Sequence, residues 1–73
     1  MAVTKTLCIQ GVSNISFDDA IRVALTETSK TIDHIFKLEV VSMTCNINEN
    51  QIREYIADTK ISFKIDTERK EHQ

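Results

Sequence analysis

The sequence predicts an α+β domain of order β-α-β-β, a three-stranded antiparallel sheet packed on one helix. Three observations carry that prediction. Residues alternate with period two at the start of the chain and twice more in its second half. Between them, apolar residues recur with the helical period. A short segment of turn formers joins the last two alternating runs, as a hairpin requires.

The first run extends from Val3 to Gln10, with Val3, Lys5, Leu7 and Ile9 on one side and Thr4, Thr6, Cys8 and Gln10 on the other. This is the pattern of a half-buried strand. Gly11, the only glycine in the chain, is expected to end it, with Ser13-Asn14 continuing the turn. Ser16 stands three residues before Asp19, which resembles a capping box with Asp in place of Glu. Asp18 and Asp19 also suit the positive end of a helix dipole. Phe17, Ala20, Ile21, Ala24, Leu25 and Ile32 then form the stripe of an amphipathic helix over about residues 17–31.

A long strand is expected from Phe36 to Ile47. Phe36, Leu38 and Val40 share the face toward the helix; Lys37, Glu39, Val41, Met43, Cys45 and Ile47 share the other. Asn46-Ile47-Asn48-Glu49-Asn50 reads as the hairpin connection. The last strand spans about Ile52 to Ile65, with Tyr55, Ala57, Thr59, Ile61, Phe63 and Ile65 on one face and Glu54, Asp58, Lys60, Ser62 and Lys64 on the other. Residues 1–66 make one domain; 67–73 form a polar tail, expected to be disordered.

Seventy-three residues leave a marginal core, and small domains meet that shortage with disulfides, metals or partner subunits. Cys8 and Cys45 are isolated, with no partner at metal-ligand spacing, so partners remain. The geometry agrees. A strand of 12–14 residues spans roughly 40–46 Å, about twice the ~22 Å of a 15-residue helix, and the far face of the second strand carries a row of apolar residues. Such a patch marks an interaction site. The net charge of −2 argues against non-specific nucleic-acid binding, which needs a basic footprint. No apolar run approaches the ~20 residues of a membrane span, and no signal peptide opens the chain. A cytoplasmic protein with free thiols is expected, and the sequon Asn14-Ile15-Ser16 is read as chance.

Several strings resemble the dodecin family. Gly11-Val12-Ser13-Asn14-Ile15-Ser16-Phe17-Asp18-Asp19-Ala20-Ile21 is similar to that family's turn into its helix, Thr28-Ser29-Lys30-Thr31-Ile32 to its helix end, and Leu38-Glu39-Val40-Val41 to the start of its second strand. The third strand aligns without a gap through Lys60-Ile61-Ser62-Phe63-Lys64-Ile65. The resemblance covers roughly residues 3–66. It implies a hollow homododecamer of tetrahedral symmetry, helices outward and long strands inside, that sequesters small molecules. In many members these are flavins such as riboflavin, lumichrome or FMN. Two flavins stack between tryptophans at each twofold axis, and a glutamine on the third strand bonds the pyrimidine edge.

The stacking tryptophan falls on Lys37 and the glutamine on Ile56. Lysine offers no π-face, where aromatic stacking is worth ~1–3 kcal/mol per ring in the nucleobase case. Ile56 leaves the polar ring edge unpaired. The positions matching the family's pocket are thus Lys37, Ile56, Phe36 and Glu39. Lys37 reads either as a group for an anionic ligand or as a partner of Glu39 or of a neighbouring subunit's acid, the second being preferred. Ile56 fills space that a ligand occupies in flavin-binding relatives. Phe36 and Tyr55 read as packing, Cys45 as a buried small hydrophobe. Asp33-His34 and His72 offer no catalytic constellation and no metal site, for want of a placed nucleophile or further ligands.

The reading is therefore a non-enzymatic small-molecule binding and storage protein, a dodecin-like hollow homododecamer with an altered pocket. An alternative is a flavin store; a second is a small enzyme using His34 and a carboxylate. No ligand, cofactor or pathway is named by the residues themselves.

Overall fold

The alternation at the N-terminus produces β1 (Val3–Ser13), the helical stripe α1 (Phe17–Ser29), and the two later runs β2 (Ile35–Asn48) and β3 (Gln51–Ile65). These elements come from a computed structural model that describes residues 2–65; the expected tail and His72 lie outside the described residues. The sheet order is β1-β3-β2 with both neighbouring pairs antiparallel. The predicted fold class is the observed one.

Gly11 does not end the first strand. β1 continues to Ser13, pairing Gly11 with Ala57 and Ser13 with Tyr55. Glycine is needed there for a different reason: a β-carbon would lie 2.1 Å from the Ala20 carbonyl oxygen and 3.1 Å from the Ala24 β-carbon. The missing side chain lets the helix rest on the strand. Ala20 and Ala24, both buried, match that absence from the helix side.

The start of α1 is fixed by Ser16, whose Oγ accepts a hydrogen bond from the Asp19 amide at 3.0 Å. The return arm of a capping box is replaced by another contact. Asp19 is one methylene shorter than Glu, and its carboxylate accepts from Ser13 Oγ at 2.7 Å, while Ser13 Oγ accepts from the Ile15 amide at 2.9 Å. This chain of bonds ties the end of β1 to the helix. The helix closes at Ser29, two residues short of the expected end, with the Thr31 and Ile32 amides both donating to the Thr28 carbonyl.

The hairpin is tighter than its composition suggests. Asn46, Ile47 and Asn48 remain in β2, and the turn is Glu49-Asn50, both with positive φ (54° and 62°). A two-residue loop with both residues left-handed is the type I′ turn that matches strand twist.

β2 departs most from the expected pattern. Its register against β3 shifts between Ile35 and Lys37, between Val40 and Ser42, and between Asn46 and Ile47. Each shift is a β-bulge, which breaks the two-residue alternation. The second bulge, at Val41, places Met43 opposite Ala57 and Cys45 opposite Tyr55, on the helix side of the sheet. Ser42 and Thr44 take their places on the far face, opposite Asp58 and Ile56. The expected apolar row of Val41, Met43 and Cys45 is thus divided between the two faces. Phe36, expected in the core, is the extra residue of the first bulge and is 49% exposed.

The core lies between α1 and the middle of β1 and β3. Ala20, Ala24, Ala57 and Ile61 are its buried apolar residues, with Thr28 and Thr59. Thr59 donates from Oγ1 to the Ile9 carbonyl at 2.7 Å, so its hydroxyl is satisfied. Phe17 meets Tyr55 edge to face at 5.1 Å between ring centres, confirming Tyr55 as packing. Ile61 is the one large side chain fully buried among the described residues. The chain measures 59 × 20 × 16 Å, whereas a helix of 13 residues reaches only ~20 Å. The hairpin therefore extends past any cover, leaving Val41, Met43, Ile47 and Ile52 exposed.

Candidate ligand-binding face

The sheet face turned away from α1 is organised in rungs, because paired residues on neighbouring strands project to the same side. Four successive rungs, each running β1 to β3 to β2, are Thr6–Ser62–Lys37, Cys8–Lys60–Glu39, Gln10–Asp58–Ser42 and Val12–Ile56–Thr44. Lys64 follows Ser62 by two residues and occupies the rung above.

The rungs differ in chemistry. At Asp58 the face is closed by hydrogen bonds: Gln10 Nε2 donates to Asp58 Oδ1 at 2.8 Å and Ser42 Oγ to Asp58 Oδ2 at 2.9 Å. Those two bonds, Gln10 first, hold the Asp58 carboxyl below its usual value of 3.8 by favouring the charged form. Cys8, Gln10, Val41, Ser42, Asp58 and Lys60 border a hollow of about 350 Å³ here. Nearer the turn, Asn46 Nδ2 donates to Glu54 Oε1 at 2.8 Å.

At the other end the character reverses. Thr6 Oγ1 and Ser62 Oγ share a hydrogen bond of 2.9 Å, with Lys37 beside them on β2. The Lys64 ammonium lies 5.7 Å from the centre of the Phe36 ring, within cation–π range. The first bulge creates this arrangement, releasing Phe36 from the alternation that would have buried it.

Of the four expected pocket residues, Phe36 and Lys37 come together at this cationic end and Glu39 stands one rung away, opposite Lys60. Lys37 and Glu39 form no ion pair with each other; the ion pairs among the described residues are Lys30–Glu27 and Arg53–Glu49. Ile56 is distant. It pairs with Val12 and Thr44, six residues along β3 from the partner of Lys37, or about 20 Å. One chain does not unite Lys37 with Ile56.

A second concavity, about 630 Å³ and open, runs between the end of α1 and the start of β2, bordered by Leu25, Ile32, His34, Phe36 and Leu38 among others. His34 is exposed with φ 66°, and its carbonyl accepts from the Lys64 amide at 3.1 Å. The nearby Ser29 hydroxyl donates to the Thr26 carbonyl at 2.8 Å. This groove contains no nucleophile–histidine relay. Cys8 and Cys45 are free thiols, and no cluster of three potential metal ligands occurs among the described residues. None of their helices is long and apolar enough to cross a membrane.

Asp58, Gln10, Ser42 and the Ser62–Lys64 end were not singled out as site residues from sequence. Their alternation on β3 is plain, but the β1 and β2 partners depend on register and on bulges.

Comparison with known proteins bears on this architecture. The sequence model of the dodecin family matches residues 3–66. Dodecin from Streptomyces davaonensis superposes with a TM-score of 0.85 at 28% identity, over 89% of this chain and 96% of that one. A variant of Thermus thermophilus dodecin gives 0.87 at 27% identity, over 90% and 98%. Calcium dodecin from Mycobacterium tuberculosis, at 24% identity and a TM-score of 0.79 over 90% and 94%, shares the fold. Among curated proteins none matches at a significant level. A family pattern spanning all three strands and the helix, with the same β-α-β-β fold in solved relatives, means that the chain belongs to the dodecin family.

Proposed function

We propose that this protein is a non-enzymatic subunit of a closed homododecamer that binds and stores a small molecule, with residues 1–66 as its single domain. The carrying observation is the shortage of core. With Ile61 the only large side chain fully buried among the described residues, and Val41, Met43, Ile47 and Ile52 exposed on the hairpin, most of the available apolar burial must come from neighbouring copies. Burial contributes about 25 cal/mol per Å² of apolar surface, so covering these side chains favours assembly strongly. Membership of the dodecin family supports the closed shell and the binding role.

The pocket of this shell differs from a flavin clamp at Lys37 and Ile56. With about 20 Å of β3 between their rungs, a ligand touching both must lie between copies. Membership of the dodecin family supports binding without chemistry, and cytoplasmic residence fits the free thiols. Native mass spectrometry and size exclusion with light scattering test the assembly. The expected particle is twelve times the 8.3 kDa chain. A folded, cooperative monomer at micromolar concentration rules the proposal out.

A further inference from the structure

The middle of the far face carries opposite charges on successive rungs. Lys60 and Asp58 project from β3 two residues apart, a separation of about 7 Å along the strand. Lys60 is exposed and makes no ion pair among the described residues. The two Asp58 oxygens each accept one hydrogen bond, from Gln10 and from Ser42, which fixes the carboxylate and favours its charged form. Each oxygen keeps a second lone pair for another donor. Lys60, Asp58, Cys8 and Val41 all border the hollow of about 350 Å³ that joins the two rungs. Outward from this centre, β3 carries Lys64 in one direction and Glu54 in the other.

We infer that this face is a contact between two copies of the chain, related by a twofold axis across the strands, with Lys60 of each copy paired to Asp58 of the other. The inference rests on the assembly reading above and names one contact within it. Sheets packed face to face can be related by a twofold axis along their strands or across them. The first sets like rungs over each other, opposing Lys60 to Lys60 and Asp58 to Asp58. The second, passing between the two rungs, reverses their order and lays each Lys60 over the partner subunit's Asp58. Like charges brought together across an interface are costly, so the pattern selects the second. Further out, the same reversal sets Lys64 toward Glu54. Packed sheets lie about 10 Å apart, a gap that the long lysine stem and the short aspartate span together. From Glu54 to Lys64 across its three strands the face measures roughly 14 × 35 Å, or about 500 Å² per copy. A stable interface of standard size buries about 800 Å² per partner. Charge pairing more than area therefore decides how firmly this contact closes, and salt should loosen it.

Two measurements test the pairing. In the first, unlabelled and heavy-nitrogen chains are refolded together and treated with a carbodiimide, which joins lysine to carboxylate without a spacer. Mass spectrometry is expected to find Lys60 of one chain joined to Asp58 of another. In the second, Lys60→Glu and Asp58→Lys are diluted separately and as an equal mixture. Each variant alone should raise the protomer concentration at which the particle dissociates by at least about tenfold, the value of one charge-assisted hydrogen bond. The mixture should recover wild-type persistence, because each reversed charge then faces an opposite one across the axis. A role confined to one chain, such as the Asp58 bonds to Gln10 and Ser42, predicts no recovery on mixing.

A particle of intact native mass with no Lys60–Asp58 link between chains overturns the inference and leaves the shell standing. A mixture that persists no better than its components does the same. Wild-type protein that stays monomeric overturns both.

Discussion

Substituting Gly11 by alanine tests how the helix is seated on the sheet. Gly11 has no positive φ, so its backbone accepts alanine without strain, and any effect is steric. The added β-carbon would lie 2.1 Å from the Ala20 carbonyl oxygen and 3.0 Å from its carbonyl carbon. Both are backbone atoms, so no rotamer relieves the clash. Ordinary contact is near 3.4 Å, so α1 must lift by roughly 1.3 Å, a forced shift of the kind that makes overpacked cores costly. That shift opens the packing of Ala20, Ala24 and Thr28 over β1 and β3. It also disturbs the Phe17–Tyr55 contact and the Ser13–Asp19 hydrogen bond. Overpacking costs typically 1–3 kcal/mol, and a backbone clash belongs at the upper end. Replacing glycine inside a strand returns about 0.5–1 kcal/mol of conformational entropy. The net loss is about 2 kcal/mol, or roughly 8–16 °C in melting temperature for a domain of this size. Thermal denaturation of wild type and Gly11→Ala at equal protomer concentration provides the assay, because oligomer stability depends on concentration. A variant as stable as wild type refutes the close seating of helix on strand.

Other perturbations probe separate parts of the molecule. Replacing Glu49-Asn50 by Asn-Gly, the pair preferred in type I′ turns, should raise stability by about 1 kcal/mol in urea unfolding, because relief of left-handed strain worth about 1–2 kcal/mol per residue exceeds glycine's entropic cost of about 0.5–1 kcal/mol; the exposed Arg53–Glu49 pair at 3.6 Å is a small loss. Ile61→Ala should cost about 2–5 kcal/mol, and an unchanged urea midpoint would deny Ile61 its central place. Because the folded pKa of Asp58 is lowered by the Gln10 and Ser42 bonds, its contribution is complete above the ordinary value of 3.8 and is lost as pH falls through the lowered one. Asp58→Asn should therefore flatten that part of the acid-unfolding curve, and superimposable curves for variant and wild type contradict the network. Lys37→Trp with Ile56→Gln should raise riboflavin affinity by at least tenfold, since stacking is worth ~1–3 kcal/mol per ring; no gain in fluorescence quenching separates this pocket from the family's flavin geometry.

Element order was legible because each strand and the helix repeat their period over many residues. What failed were features that a single residue controls. Gly11 carries the composition of a turn former, although Ala20 and Ala24, spaced four apart on one helix face, signal a close approach to something without a side chain. The bulges at Phe36 and Val41 carry no composition mark: each adds one residue and reverses the faces beyond it. Plain alternation therefore puts Phe36 in the core and Met43 on the far face, where the bulges put neither. The turn at Glu49-Asn50 lacked the glycine that announces type I′, so its neighbours were counted as loop. Lys37 and Ile56 were found through resemblance, and their separation along β3 became visible only with the register.

That separation makes assembly and binding one problem. Lys37 on β2 and Ile56 on β3 stand on rungs about 20 Å apart, so a single ligand that touches both positions must reach across two copies. A molecule held by both positions binds the assembled form and not dispersed chains. By mass action such a ligand would stabilise the proposed shell, by about 2.7 kcal/mol per site when ligand stands at one hundred times its Kd. A ligand held wholly within one copy would exert no such linkage on dilution. Whether riboflavin or FMN protects the proposed assembly against dissociation on dilution thus tests whether a bound ring bridges two copies.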